Sequence, residues 1–124
     1  MTFETDLYAE LSSDAGLGAL VSDRIVPSHM SEGSVAPFIV YTPVFDDTRY
    51  DLDGATDLRK VRLQVDCYAD DPDEAMAIAD AVIAAIPVTG WPLHRTAHSE
   101  QDLGLEPDTR LFRRMLEFSI FHRG

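Results

Sequence analysis

Residues 59–86, RKVRLQVDCYADDPDEAMAIADAVIAAI, carry two periodicities back to back, and so limit the fold more than any other stretch of the chain. Val61, Leu63, Val65 and Cys67 alternate with Arg62, Gln64, Asp66 and Tyr68. A period of two is that of a strand with one buried and one wet face. A helix start follows at once. Asp71 is placed to cap it, Pro72 to fill the first helical position, and Asp73 and Glu74 to face the positive end of the helix dipole. Ala75, Ile78, Ala79, Val82, Ile83 and Ile86 then recur at helical spacing as one apolar stripe, and Pro87 ends it. A strand feeding a helix through a tight polar turn predicts the centre of a small α+β or α/β domain.

The flanking chain extends that reading. Residues 2–13 predict a short helix capped by Thr2, with Phe3, Leu7, Tyr8 and Leu11 near one face, and residues 14–21 a second helical turn holding Leu17, Leu20 and Val21. Asp23-Arg24-Ile25-Val26-Pro27 reads as a brief strand halted by proline, and residues 28–36 as a polar loop. After Pro37, residues 38–45 (FIVYTPVF) form a strong strand, in which Pro43, lacking an N–H, demands an edge position or a bulge. Residues 46–58, with five aspartates, read as a long hairpin connection to the strand that starts near Arg59. Downstream of the helix, 88–90 turn the chain, 91–99 form a strand, 100–109 an acidic loop, and 111–122 a final strand. In that last strand Phe112, Leu116, Phe118 and Ile120 face one way, and Arg113, Glu117 and Ser119 the other. Alternation in each strand argues for a mostly antiparallel α+β sheet of about four to five strands with helices on one face.

At 124 residues the chain is expected to form a single domain, 1–124, which at this size needs neither disulfides nor metal to fold. Its one cysteine, Cys67, falls on the apolar side of its strand and reads as a buried thiol in a reducing compartment. No basic-then-apolar leader and no membrane-length apolar run is present, so the cytosol is the expected location and no membrane partner is expected. The net charge of −12 leaves no surplus of cations for counterion-releasing contacts to phosphates. Ordinary nucleic-acid readers are thereby excluded, whereas an assembly through which DNA slides without sticking remains compatible.

Chemistry-bearing motifs are few. His94 and His98 are four apart, but in a strand that separation is about 13 Å, too far for one metal ion. The loop Asp51-Leu52-Asp53-Gly54-Ala55-Thr56-Asp57 resembles a calcium loop only superficially, because Ala55, Thr56 and Arg62 occupy positions that need a ligand, glycine and glutamate. There is no nucleophile elbow and no phosphate-binding glycine loop. His29 and His122 are expected to be solvated. No catalytic residue, metal or cofactor is therefore predicted. What stands out instead is a set of exposed apolar and cationic groups: Tyr50 and Leu52 in the acidic loop, Trp91 beside a turn, and Arg59, Lys60 and Arg62 opposite the acidic loops. Such groups predict self-association.

Several segments, in order, carry a family resemblance. They are Asp23-Arg24-Ile25-Val26-Pro27 after an N-terminal helix, Ala36-Pro37-Phe38-Ile39-Val40-Tyr41, Tyr50-Asp51-Leu52-Asp53-Gly54, Arg62-Leu63-Gln64-Val65-Asp66-Cys67-Tyr68-Ala69, Glu74-Ala75 leading into Ile78-Ala79-Asp80-Ala81-Val82, and Phe118-Ser119-Ile120-Phe121-His122. Over nearly its whole length the chain resembles the tail completion, or tail terminator, proteins that join phage tails to heads. The resemblance implies a non-enzymatic α+β protomer that docks on the tail tube as a homo-oligomeric ring, typically a hexamer. It further implies tail tube and head–tail connector proteins as partners, DNA passing through without specific binding, and residence at the tail–head junction after assembly in the host cytoplasm. By the same analogy Tyr50, Asp51, Leu52, Asp53, Gly54, Arg59 and Arg62 are the expected contacts to a neighbouring subunit or the tube. The alternative is a small monomeric binding module or accessory enzyme with an acidic cleft.

Overall fold

The first strand–helix pair forms as its periodicities require. In the computed structural model, which describes residues 3–28, 35–49, 58–89 and 92–123, β3 spans Leu58–Ala69 and α3 spans Pro72–Ala85. Asp71 is the N-cap of α3, its carboxylate accepting from the Glu74 N–H at 2.8 Å, and Pro72 begins the helix. Val61, Leu63, Val65 and Cys67 are fully buried, and Ala75, Ile78, Ala79 and Val82 of α3 belong to the same core.

Before β3 the chain forms α1 (Phe3–Ser13), α2 (Ala15–Val21), β1 (Ile25–Pro27) and β2 (Phe38–Arg49); after α3 it forms β4 (Leu93–Leu105) and β5 (Phe112–Arg123). The five strands make one sheet in the order β1-β2-β3-β5-β4. Every neighbouring pair is antiparallel except β1 and β2, which run parallel. The helices lie on one side, so the expected α+β class and layer arrangement hold. Phe3, Leu7 and Leu11 of α1 and Leu17 and Val21 of α2 complete the core. Tyr8 does not join them and is 41% exposed, because one step past Leu7 turns it off the buried stripe.

Pro43 sits where its chemistry allows. The Ile39 N–H donates to Arg24 on the β1 side, so by alternation the N–H missing at residue 43 would also point that way. The pairing with β1 ends at Pro27 and Tyr41, and the ladder loses no bond there.

Four expectations need correction. Residues 46–49, expected to open the connection, continue β2, and Arg49 pairs with Arg59. Residues 100–105 are strand, not loop: β4 runs on beside β5, and the turn occupies 106–111. Glu100 and Asp102 tolerate this because Arg114 on β5 binds both, at 2.6 and 3.4 Å. Asp66, on the expected wet face, is only 4% exposed. It accepts from Arg113 Nε at 2.9 Å and from Gln64 Nε2, and the Arg113 guanidinium lies 5.8 Å from the Tyr68 ring centre, so that face carries a covered polar network. His122 is buried rather than solvated, with its Nε2 2.8 Å from an Asp6 carboxylate oxygen and Phe3 edge-on to its ring.

Candidate functional site

The cationic run at the start of β3 is the local origin of the site. Arg59, Lys60 and Arg62 are all exposed. Alternation sends Lys60 and Arg62 to the face away from the helices, because Val61 and Leu63 between and beyond them point into the core. The register then decides their neighbours. Val44 on β2, Arg62 on β3 and Ser119 on β5 form one row across the sheet, and Glu117 lies one row further along, opposite Gln64. Val44, Phe45, Lys60, Arg62, Glu117 and Ser119 together line an open concavity of about 530 Å³.

Its rim is apolar on one side. Val44 is 47% exposed and Phe45 44% exposed, and Phe45 is held edge-on against Phe3 of α1 at 5.9 Å. Among the described residues no ion pair holds Lys60 or Arg62, although Glu117 lies in the same concavity. Four other arginines are committed. Arg24 donates to the Pro37 carbonyl, Arg95 to the Ile83 carbonyl, Arg113 to Asp66 and Glu106, and Arg114 to Glu100 and Asp102. Burial alone would lower the pKa of Arg113, but its bond to Asp66 and the nearby carboxylate charge outweigh this and raise it, so it stays cationic at any accessible pH. Cations without an ion pair among the described residues, beside half-exposed apolar groups, suit charge-assisted contact with an acidic protein surface.

Of the expected contact residues, Arg62 lines this concavity and Arg59 lies at the same end of β3, opposite Arg49 and His122 in register. Tyr50, Asp51, Leu52, Asp53 and Gly54 fall outside the described residues, as do Trp91 and His29. The contributions of Val44, Phe45, Glu117 and Ser119 were not anticipated. Strand alternation pairs Lys60 with Arg62, but only the inter-strand register brings β2 and β5 beside them.

The other chemical candidates separate in space. His94 stands opposite Phe121 and His98 opposite Phe118; an irregularity between Arg95 and Ala97 puts the two imidazoles on opposite faces of β4. Burial pushes the Cys67 thiol far up, with the Asp66 and Glu100 charges adding to it and Arg114 opposing, so no thiolate is available there at neutral pH. Among the described residues no group of three or more His, Cys, Asp or Glu side chains is arranged to hold a metal ion.

The model of the tail completion protein gp17 family matches residues 5–123. Among solved structures, a chain of the virion of a native gene transfer agent particle is similar in fold, with a TM-score of 0.67 and 18% identity, covering 95% of this chain and 92% of that one. A comparison with the curated proteins found no match.

Proposed function

Because the chain belongs to the tail completion protein gp17 family, we propose that it is a non-enzymatic structural protein that caps a phage or prophage tail tube and joins tail to head as a homo-oligomeric ring, with six copies as the expected number. The observation that carries this reading is the family match over residues 5–123, nearly the whole of a chain that forms one proposed domain. The charge of the protein supports it: a ring built from protomers of net charge −12 repels duplex DNA and lets it pass without adhering. Its partners are then other copies of itself, the tail tube protein and the head–tail connector. It acts at the tail–head junction after assembly in the host cytoplasm. The end of the sheet that bears Arg59 and Arg62, with the connection holding Tyr50, Asp51, Leu52, Asp53 and Gly54, makes the subunit or tube contacts.

The test is the absolute mass in solution by light scattering over a concentration series, with and without purified tail tubes, followed by electron microscopy of the tails. A closed oligomer, or one that forms on tubes and stops their growth, is the expected result. A protein that stays monomeric in both conditions and leaves tube length unchanged overturns the reading in favour of a monomeric binding module. Deleting residues 51–57 is expected to preserve the circular dichroism spectrum and abolish assembly; rings that persist in the deletion variant remove that segment from the contact.

A further inference from the structure

Along the described part of β3 the exposed charges divide between its two ends. Three of the ten Lys and Arg residues, Arg59, Lys60 and Arg62, stand exposed at the start of β3. At the opposite end, directly after Ala69, Asp70, Asp71 and Asp73 are exposed and Glu74 is half-buried. The turn that joins β4 to β5 lies at that same end, since Phe112 pairs with Ala69, and its exposed Asp108 and Arg110 offset each other. From Arg62 to Asp70 is eight residues of strand, roughly 25 Å at about 3.3 Å per residue. A protomer therefore cannot bring its own acidic corner to its own cationic concavity.

The two ends are complementary in a second respect. Along the outer face of α3, Asp73, Met76 and Asp80 follow one another at helical spacing and are all exposed, Met76 to 46%. The acidic corner thus carries an apolar side chain beside its carboxylates, as the concavity carries Val44 and Phe45 beside its cations. Methionine adapts its shape to an aromatic ring and gains from the sulfur contact.

We infer that copies of this chain associate head to tail, the concavity of Val44, Phe45, Lys60 and Arg62 on one copy receiving Asp70, Asp73 and Met76 of the next. The inference rests on the ring reading and supplies its contact. A contact between two different patches is heterologous, so each copy has one donor end and one acceptor end, and the chain of copies closes into a ring when the rotation per step permits. Glu117, within the concavity, opposes the incoming carboxylates; Lys60 and Arg62 outnumber it. Neither patch is consumed by intramolecular pairing among the described residues beyond the capping bond of Asp71 to the Glu74 N–H, and Asp71 is for that reason left out of the test.

Charge reversal decides it. Lys60→Glu/Arg62→Glu and Asp70→Lys/Asp73→Lys are each made, checked for a native circular dichroism spectrum and weighed by light scattering beside the wild type, at low salt and in 1 M NaCl, with tubes added where the wild type needs them. Each reversal is expected to reduce the species to 13.8 kDa. An equimolar mixture of the two variants, and the variant carrying all four changes, are expected to recover the wild-type mass. Salt is expected to weaken association, since the Debye length falls to about 3 Å at 1 M. Reversals that leave the mass of an assembling wild type unchanged overturn the inference while sparing the ring. Loss of mass that neither the mixture nor the fourfold variant repairs shows that the acidic corner is not the occupant, and overturns it too. A wild type that never assembles, even on tubes, removes the ring itself.

Discussion

Asp6 and His122 lie 116 residues apart in the sequence and meet at 2.8 Å, each less than a tenth exposed. Their bond fastens α1 to the end of β5. Truncating one partner leaves a buried polar group without its complement, a loss that reaches about 3 kcal/mol or more in folded proteins. His122→Ala is expected to lower the melting temperature by roughly 10 °C at this chain length, and Asp6→Ala by a similar amount. Glu4→Gln, an exposed change on the same helix, is expected to stay within about 0.5 kcal/mol. Thermal unfolding of the three variants is the check; equal, small shifts in all of them would dismiss the pair as a fastening. Cys67 is a second buried group with a measurable consequence. Burial raises its thiol pKa, so the native state keeps a proton that the unfolded chain gives up above about pH 8.5. The unfolded state then binds fewer protons, and stability, fully present below that pH, falls as pH rises beyond it. Tyr41 and Tyr68, both raised chiefly by burial, extend the decline above about pH 10. Denaturant titrations at about pH 7.5 and about pH 9.5, on either side of the free thiol's range, are expected to show this loss, and Cys67→Ala to flatten its slope. A thiol reagent is expected to label the native protein only at the rate of unfolding; stoichiometric labelling within seconds would contradict the burial.

Among the elements, α3 is fastened at both ends by different means. Its N-terminus is capped locally by Asp71, while near its C-terminus the Ile83 carbonyl accepts from Arg95 of β4 at 2.8 Å. A cation there also meets the negative end of the helix dipole. Asp71→Ala is expected to cost about 1 kcal/mol, the usual loss for a capping carboxylate, and Asp71→Asn to restore most of it. Unfolding midpoints in urea measure both; an alanine variant as stable as the wild type would mean the cap is replaced by water. The cap at Asp71 was readable from the run of Asp, Pro, Asp and Glu. The one at Arg95 was not, since it joins segments twelve residues apart through a turn that sequence does not specify. The β4–β5 hairpin shows the same limit. Glu100 and Asp102 read as loop residues because carboxylates seldom favour strands, yet Arg114 across the ladder neutralises them, a cross-strand pairing visible only once the register is known.

Taken whole, the sheet is open along β4 on one side and along the part of β2 past the short β1 on the other, and each stretch carries a device against pairing with another sheet. β4 is irregular between Arg95 and Ala97 and again between Asp102 and Gly104, where Gly104 adopts a φ of +69°. β2, beyond the reach of β1, holds Pro43 and an irregularity between Phe45 and Arg49. Bulges and proline are the usual means of keeping edges from aggregating, so the proposed subunit contact falls to side chains rather than to backbone edges. The acidic excess gives a further expectation: duplex DNA is not retained at physiological salt, and an electrophoretic shift at micromolar protein would contradict the passive role assigned to the protein toward DNA.

Local pattern dictated the periodic parts: the inward set of β3, the apolar stripe and N-cap of α3, the alternation of β5, and hence the α+β layering. Those follow from contacts between residues a few positions apart, where helix and strand spacing act directly. What distant segments do to one another came from the assembled fold. It buried Asp66 and His122 by supplying Arg113 and Asp6, extended β4 through an acidic run, and set Val44, Phe45 and Glu117 around Lys60 and Arg62. The reason is that a charge is solvated or buried according to its partner, and a partner many tens of residues away is chosen by strand register and helix docking, which local pattern does not encode.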